Sequence, residues 1–156
     1  MVSDDMLFNT VLAYIRDMWK MRGSVGHLVI TSPLELRAVW QNKDELRKAA
    51  NTMVDFLKGE GFKKGFYNWH FAGEQSRRFY PHLHIVIPSG YIGSKRLGRI
   101  RNFVRDLWGI KVFYYGYIRE YDKLEHLVRS ILKPTLDKQD EVSVDEWRDF
   151  QSWGFW

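Results

Sequence analysis

The period of the apolar residues changes along the chain, and each change predicts a helix or a strand. Spacing of three and four residues, which is typical of an amphipathic helix, recurs in four segments. These segments are residues 1–23, 42–59, 94–108 and 122–133. Asn42 is placed to cap the second helix, and Pro134 is expected to end the last one.

Four other segments are rich in β-branched and aromatic residues, which indicates strands. They read VGHLVITS, GFYNWHFAGE, PHLHIVIP and IKVFYYGYIREY. The segment between the second and third strands is short and basic, EQSRRFY. A short connection of this kind favours an antiparallel hairpin.

After a leading helix, the elements follow the order β-α-β-β-α-β-α. This order predicts an α+β fold with a central antiparallel sheet of about four to five strands and helices on one face, as in ferredoxin-like and RRM-like domains. The other face of the sheet would be free to carry a site. We expect one domain over residues 1–156, with an N-terminal helix at 1–23, a core at 24–135 and a C-terminal extension, mostly loop, at 136–156.

Composition narrows the class of protein. The chain has no cysteine, which excludes disulfides and thiolate metal sites and leaves His, Asp and Glu as metal ligands. The chain has no run of apolar residues long enough to span a membrane, and its first residues are acidic where a signal peptide would be basic. We therefore expect a cytoplasmic protein without a membrane partner.

The charge of the chain indicates the kind of partner. The net charge is +5, and aromatic residues reach 16% with seven tryptophans. A basic and aromatic chain favours a polyanion whose bases can stack, such as single-stranded nucleic acid. The same composition also fits a basic domain whose aromatic residues form its core.

The stretch PHLHIVI carries the candidate chemistry. Side chains alternate between the faces of a strand, so His82 and His84 share one face while Leu83 and Ile85 share the other. Glu74, across the hairpin, can add a carboxylate, and the three together suit a divalent cation such as Mg²⁺ or Mn²⁺ with positions left open for a phosphate oxygen. The alternative is two ordinary strand histidines and a solvated hairpin glutamate.

The segment GEQSRRFYPHLHIVI resembles the metal motif of the HUH endonucleases, specifically the rolling-circle replication initiator (Rep) proteins of plasmids and viruses. His82 and His84 match its two histidines, Pro81 matches its flank, and Glu74 lies about where the third ligand would be. HLVITSP, DKLEHLVRSILKPT and FQSWGFW resemble further segments of the family in the same order, so the resemblance runs from about His27 to the end.

The resemblance implies the HUH version of the ferredoxin-like fold and an enzyme that nicks and joins single-stranded DNA to initiate rolling-circle replication. It also implies a divalent metal, Mg²⁺ or Mn²⁺, and a single-stranded or hairpin origin as the DNA partner. The chain has no P-loop, so a host or linked helicase and polymerase would unwind and copy the duplex.

One position departs from the family pattern. The nucleophile of the family is a tyrosine, which forms a 5′-phosphotyrosine, but Ser130 stands in the matching position three residues before the family lysine, Lys133. Four explanations stay open: an engineered Tyr→Ser change, a natural relative that binds DNA without cutting it, a different tyrosine, or attack by water or Ser130 itself. Tyr121 is a better substitute than Tyr117, because it lies at the entry to the helix.

Basic residues around the motif are candidates for contact with DNA phosphates. They are Arg77, Arg78, Lys95, Arg96 and Arg99. The alternative for those on the helix is a solvated charged face.

Trp69, Tyr114 and Tyr115 could stack on unpaired bases or belong to the core. Two other functions remain in view: a non-catalytic DNA-binding module on the same fold, and an HUH-type single-strand transposase.

Overall fold

The computed structural model describes residues 4–72, 79–136 and 151–154. Within these ranges the α-helices are α1 (Asp4–Arg22), α2 (Lys43–Gly59), α3 (Ser94–Trp108) and α4 (Leu124–Leu136). The strands are β1 (Val25–Thr31), β2 (Gly65–Ala72), β3 (Phe79–Ile87), β4 (Phe113–Ile118) and β5 (Gln151–Trp153). Short 3-10 turns lie at Leu34–Leu36, Val39–Gln41 and Tyr121–Lys123.

The strands form one antiparallel sheet in the order β4-β1-β3-β2-β5. The first four strands thus have the split β-α-β-β-α-β arrangement, and the predicted α+β class is confirmed. β5 was not predicted, because three residues are too few to show a period. It pairs with the edge of β2, and Trp153 Nε1 donates to the Phe62 carbonyl over 3.1 Å.

Helices pack on both faces of the sheet. Leu28, Leu83 and Ile85 point to one face and form the larger core with α2 and α3. On the opposite face, Val25 and Val86 pack against α1 and α4 in a second core. The expectation of a free face is therefore corrected, since helices cover one end of it. The hydrophobic stripes of α1 and α4 require this cover, because they would otherwise face water.

The ends of the helices follow their sequence signals with one exception. Asn42 caps α2 as predicted, accepting hydrogen bonds from the backbone of Asp44 and Glu45. Gly109 ends α3 in the left-handed conformation. Pro134 does not end α4, which continues to Leu136. No described helix is both long and apolar enough to cross a bilayer.

Candidate metal centre

Three strands bring histidines onto one face of the sheet. His70 in β2 lies directly opposite His82 in β3, and Asn68 lies opposite His84. Directly opposed residues in antiparallel strands point to the same face, so these four side chains form one polar patch. The patch lies beside the second core, where α4 reaches it: the Ile131 carbonyl contacts both Asn68 and His70.

The rings of His70, His82 and His84 form a triad that could hold a metal ion. Each ring offers one nitrogen, and the three nitrogens lie within 4.8 Å of one another. His70 and His84 are buried, whereas His82 is partly exposed. A cation in this triad would therefore have imidazole ligands on its protein side and an opening to solvent near His82.

A backbone carbonyl of α4 orients His70. Its Nε2 lies 2.6 Å from the Ile131 oxygen, which also accepts from Asn68 Nδ2 over 3.0 Å. Because a carbonyl oxygen can only accept, His70 Nε2 carries the hydrogen and Nδ1 keeps the lone pair. Metal-binding histidines are commonly held in this way, with one nitrogen bound to a carbonyl and the other left for the metal.

His84 has one partner and one nitrogen without a partner. Its Nδ1 lies 2.8 Å from Nε2 of His27 in β1. Its Nε2 is buried and has no hydrogen-bond partner within the described part of the chain. A buried polar atom that lacks a partner is rare and needs an explanation, and a metal ion is one that fits an imidazole nitrogen.

Burial keeps these histidines neutral. It lowers the pKa of His70 to about 3 and that of His27 to about 4, from an ordinary value of 6.5. The pKa of His84 is also well below the ordinary value, first through burial and then through repulsion from the neighbouring histidines. Neutral imidazole is the form that binds metal, so at neutral pH His70 and His84 need no deprotonation before they can accept a cation.

The predicted ligand set is partly reproduced. His82 and His84 lie together as expected, while Glu74 falls outside the described residues. Sequence reasoning missed His70 as the third histidine and His27 as the partner of His84. The sequence does contain a signal for His70. His70 and His82 are the same number of residues away from Ser76, which lies in the middle of the hairpin connection. A symmetrical hairpin pairs such residues.

The candidate nucleophiles lie at different distances from the triad. Ser130 is exposed on α4 and immediately precedes Ile131, whose carbonyl contacts His70. Of Lys133 the structure describes only the backbone, within the same helix. Tyr121 lies ten residues before Ile131, roughly 15 Å away at the rise of a helix. It packs edge-on against Trp19 of α1, with ring centroids 5.0 Å apart.

Tyr117 is also separated from the triad. Tyr117 of β4 pairs with Gly26 of β1, which in turn pairs with Ile87 of β3. These three residues point to the same face of the sheet, and Ile87 shows that it is the face covered by α2 and α3. The sheet therefore lies between Tyr117 and the histidines.

The predicted DNA-binding residues of α3 also lie on the far face of the sheet. Arg99 makes two hydrogen bonds with the Glu60 carboxylate, over 2.8 and 3.1 Å. Arg96 donates to the Glu60 carbonyl, and its guanidinium lies over the Phe62 ring. Lys95 is exposed near the start of the helix. The structure does not bring these three residues to the triad, and Arg77 and Arg78 lie outside the described residues.

The three aromatic candidates divide between the two faces. Trp69 is buried in the larger core, and Tyr115 packs against that core. Tyr114 points to the same face as the triad, is 57% exposed, and lies edge-on to His27 with ring centroids 6.2 Å apart. It is the candidate that could meet a ligand at the metal centre.

A cavity of about 280 Å³ opens next to the triad, at the end of β1. It begins at Thr31, which pairs with His82, and its lining includes Arg37 and Lys111. Ser32 also lines it, buried and with an Oγ that has no partner within the described residues. The cavity lining thus combines these two cationic side chains with the acidic Glu35 and with the apolar Pro33, Leu34 and Val112.

Comparisons with protein-family models, with curated proteins and with solved structures gave no match to this chain. The geometry of the histidines therefore carries the functional argument.

Proposed function

We propose that this domain binds single-stranded DNA at a divalent-metal centre formed by His70, His82 and His84, and nicks and joins it to initiate rolling-circle replication. The observation that supports the proposal most is the buried triad, in which His84 Nε2 has no protein partner within the described residues. The sequence adds the order of segments that resembles the Rep proteins.

The ligand set bears on the choice of metal. Mg²⁺ prefers oxygen ligands and gives up its water reluctantly, whereas imidazole suits later transition metals. Of the two metals expected from the sequence, Mn²⁺ is therefore the better candidate for three histidines. Zn²⁺ and Ni²⁺ belong in the same titration, because imidazole favours them more strongly still.

In this proposal, a bound cation supplies Lewis-acid polarisation of a phosphodiester oxygen. The residues of the chain supply position and charge. His82 lies at the open side of the triad, where a phosphate can approach, and Arg37 and Lys111 line the adjacent cavity as neutralising groups for the DNA backbone. Tyr114 offers an exposed ring on which a neighbouring base can stack.

Ser130 is the nucleophile nearest in sequence to the part of α4 that contacts the triad. Its hydroxyl oxygen would bond to phosphorus while the bond to the DNA 3′-oxygen breaks. The hydroxyl proton would pass to that oxygen, leaving a 5′-phosphoseryl ester and a free 3′-hydroxyl. Tyrosine at this position would extend the reach by the length of a ring and offer a better leaving group for rejoining.

The second candidate function is DNA binding without cleavage. It is favoured by the serine at position 130 and by the absence of any tyrosine from the α4 sequence. Tyr121 does not compensate for this absence, because it lies at the far end of the helix in contact with α1.

One experiment separates the two functions. Labelled single-stranded oligonucleotide libraries with hairpins are incubated with Mn²⁺ and three proteins: the chain as given, Ser130→Tyr, and Ser130→Tyr with His84→Ala. Cutting and a covalent protein–DNA product with Ser130→Tyr, lost in the double variant, support nicking. Metal-independent binding by all three, without any cut product, would leave only the binding function.

The role of the cavity at the end of β1 is tested separately. Lys111→Ala should weaken single-stranded DNA binding and lower the slope of log K against log salt by about 0.7, the change expected for one lost phosphate contact. Lys95→Ala is the matched control, because it removes an exposed lysine from α3, on the side of the sheet opposite to the histidine triad. An equal change in both variants would argue against a specific path for DNA along the cavity.

A further inference from the structure

His27 lies outside the triad but contacts it directly. It is in β1, paired with Val86 and therefore one row along the sheet from His84. Its Nε2 lies 2.8 Å from His84 Nδ1. The two ring centroids are 5.0 Å apart and the ring planes differ by 28°. Nearly coplanar rings that meet through their nitrogens form an N–H···N hydrogen bond, whereas His70 stacks its face on His84 with centroids 3.7 Å apart.

The hydrogen bond between His27 and His84 has two possible directions. In the first, His84 Nδ1–H donates to His27 Nε2, and His84 Nε2 keeps a lone pair. In the second, His27 Nε2–H donates to His84 Nδ1, and His84 Nε2 carries a hydrogen. The second direction leaves a buried N–H without an acceptor in the described part of the chain. It also removes the lone pair that a metal needs.

We propose that His27 is a positioning residue for the metal centre: it accepts the Nδ1 hydrogen of His84 and so keeps the His84 Nε2 lone pair available to a divalent cation. This inference rests on the metal centre of the proposed function. His70 is held in a matching way by the Ile131 carbonyl, so two of the three ligands have their tautomers fixed by neighbours.

The partner of a metal-binding histidine contributes to affinity through orientation and basicity. Loss of such a partner typically costs 10- to 100-fold in metal affinity. A histidine that merely filled space beside His84 would be replaceable by another ring without this loss. The two roles therefore differ in what a substitution of His27 does to metal binding.

The test uses two substitutions of His27 in the full chain. His27→Phe keeps a ring but removes the acceptor, whereas His27→Gln keeps a side-chain acceptor of similar reach. His126→Gln, a change at an exposed histidine of α4, is the control. Mn²⁺ and Zn²⁺ affinities are measured by titration, and long-range ¹H–¹⁵N correlation spectra of the metal-free proteins identify the hydrogen-bearing nitrogen of His84.

We expect His27→Phe to bind metal roughly 10- to 100-fold more weakly, with His27→Gln and His126→Gln close to the unsubstituted chain. The spectrum of the unsubstituted protein should show His84 protonated at Nδ1, and His27→Phe should show a mixture of tautomers. A His27→Phe protein that folds and binds metal with unchanged affinity would overturn the inference, as would a His84 that carries its hydrogen on Nε2.

The outcomes also separate this inference from the proposed function. Metal binding that is lost in His84→Ala but unaffected in His27→Phe would remove only the role of His27. The absence of metal binding by the unsubstituted chain would overturn both. Metal binding with the expected effect of His27→Phe, but no cutting of DNA by the Ser130→Tyr protein, would retain the role of His27 and argue against nicking.

Discussion

Acid should destabilise this protein steeply when metal is absent, because the buried His70 and His84 and the half-buried His27 are neutral in the folded state. Burial lowers the pKa of His27 to about 4 and of His70 to about 3, and the pKa of His84 is also depressed. In the unfolded chain each titrates near 6.5. The stabilisation from the lower pKa values is therefore fully present above pH 6.5 and is lost as the pH falls toward the folded values.

The size of the loss follows from proton linkage. Between pH 6 and pH 5, His27 and His70 are mostly protonated in the unfolded chain and unprotonated in the folded one, which costs about 1 kcal/mol each. His27 and His70 together should lower the free energy of unfolding by about 2 kcal/mol, and His84 should add to this loss, which is a large part of the roughly 5–15 kcal/mol typical of a domain. Urea unfolding in the presence of EDTA, followed by tryptophan fluorescence at pH 7, 6 and 5, measures this directly.

Matched variants test the cause of the acid sensitivity. His70→Gln should reduce the loss between pH 6 and pH 5 by about 1 kcal/mol, the contribution of one proton. His126→Gln, a change at an exposed histidine of α4, is the matched control. A free energy of unfolding that is flat between pH 6 and pH 5, or one that His70→Gln does not alter, would refute the assignment of neutral buried histidines.

Three further predictions concern packing, the contact between β2 and α4, and the face used by DNA. Gly65→Ala should cost about 2 kcal/mol of stability in urea unfolding, since its Cβ would lie 2.5 Å from the buried tryptophan ring of β5 and 2.7 Å from a backbone oxygen. Gly116→Ala should cost less, because its Cβ would meet only the movable end of an exposed tyrosine; equal costs would contradict this. Asn68→Leu should lose about 1 kcal/mol in the same assay, as the Ile131 carbonyl loses one of its two donors, and no change would argue against that hydrogen bond. Arg99→Ala should leave the affinity for single-stranded DNA unchanged in a filter-binding assay, because α3 covers the opposite face of the sheet, and weaker binding would place DNA on α3.

The sequence was sufficient for the four α-helices, the first four strands and their order, because the periods of α2, α3 and β1 to β4 are strong and most helix ends carry a cap or a glycine. It did not predict that α1 and α4 share a face with the histidines, since a helix stripe shows that a face is buried but not against what. Pro134 predicts the end of a helix, but α4 continues for two residues beyond it.

Two of the four histidines at the candidate site could be predicted from the sequence. His82 and His84 follow from alternation within one strand, which needs no knowledge of pairing. His70 and His27 depend on the register of two other strands, and register is fixed by turn geometry and packing. From the sequence alone, Glu74 near the hairpin is therefore favoured as the third ligand over His70, which lies directly opposite His82 in the folded sheet.

The most direct test of the metal centre is a titration with Mn²⁺ and Zn²⁺ of the unsubstituted chain, His70→Ala, His84→Ala and Glu74→Gln, by isothermal calorimetry at pH 7.5. The triad predicts that one ion binds per chain. Both histidine variants should lose tight binding, whereas Glu74→Gln should still bind. Tight binding that survives His70→Ala but is lost in Glu74→Gln would contradict the centre described here.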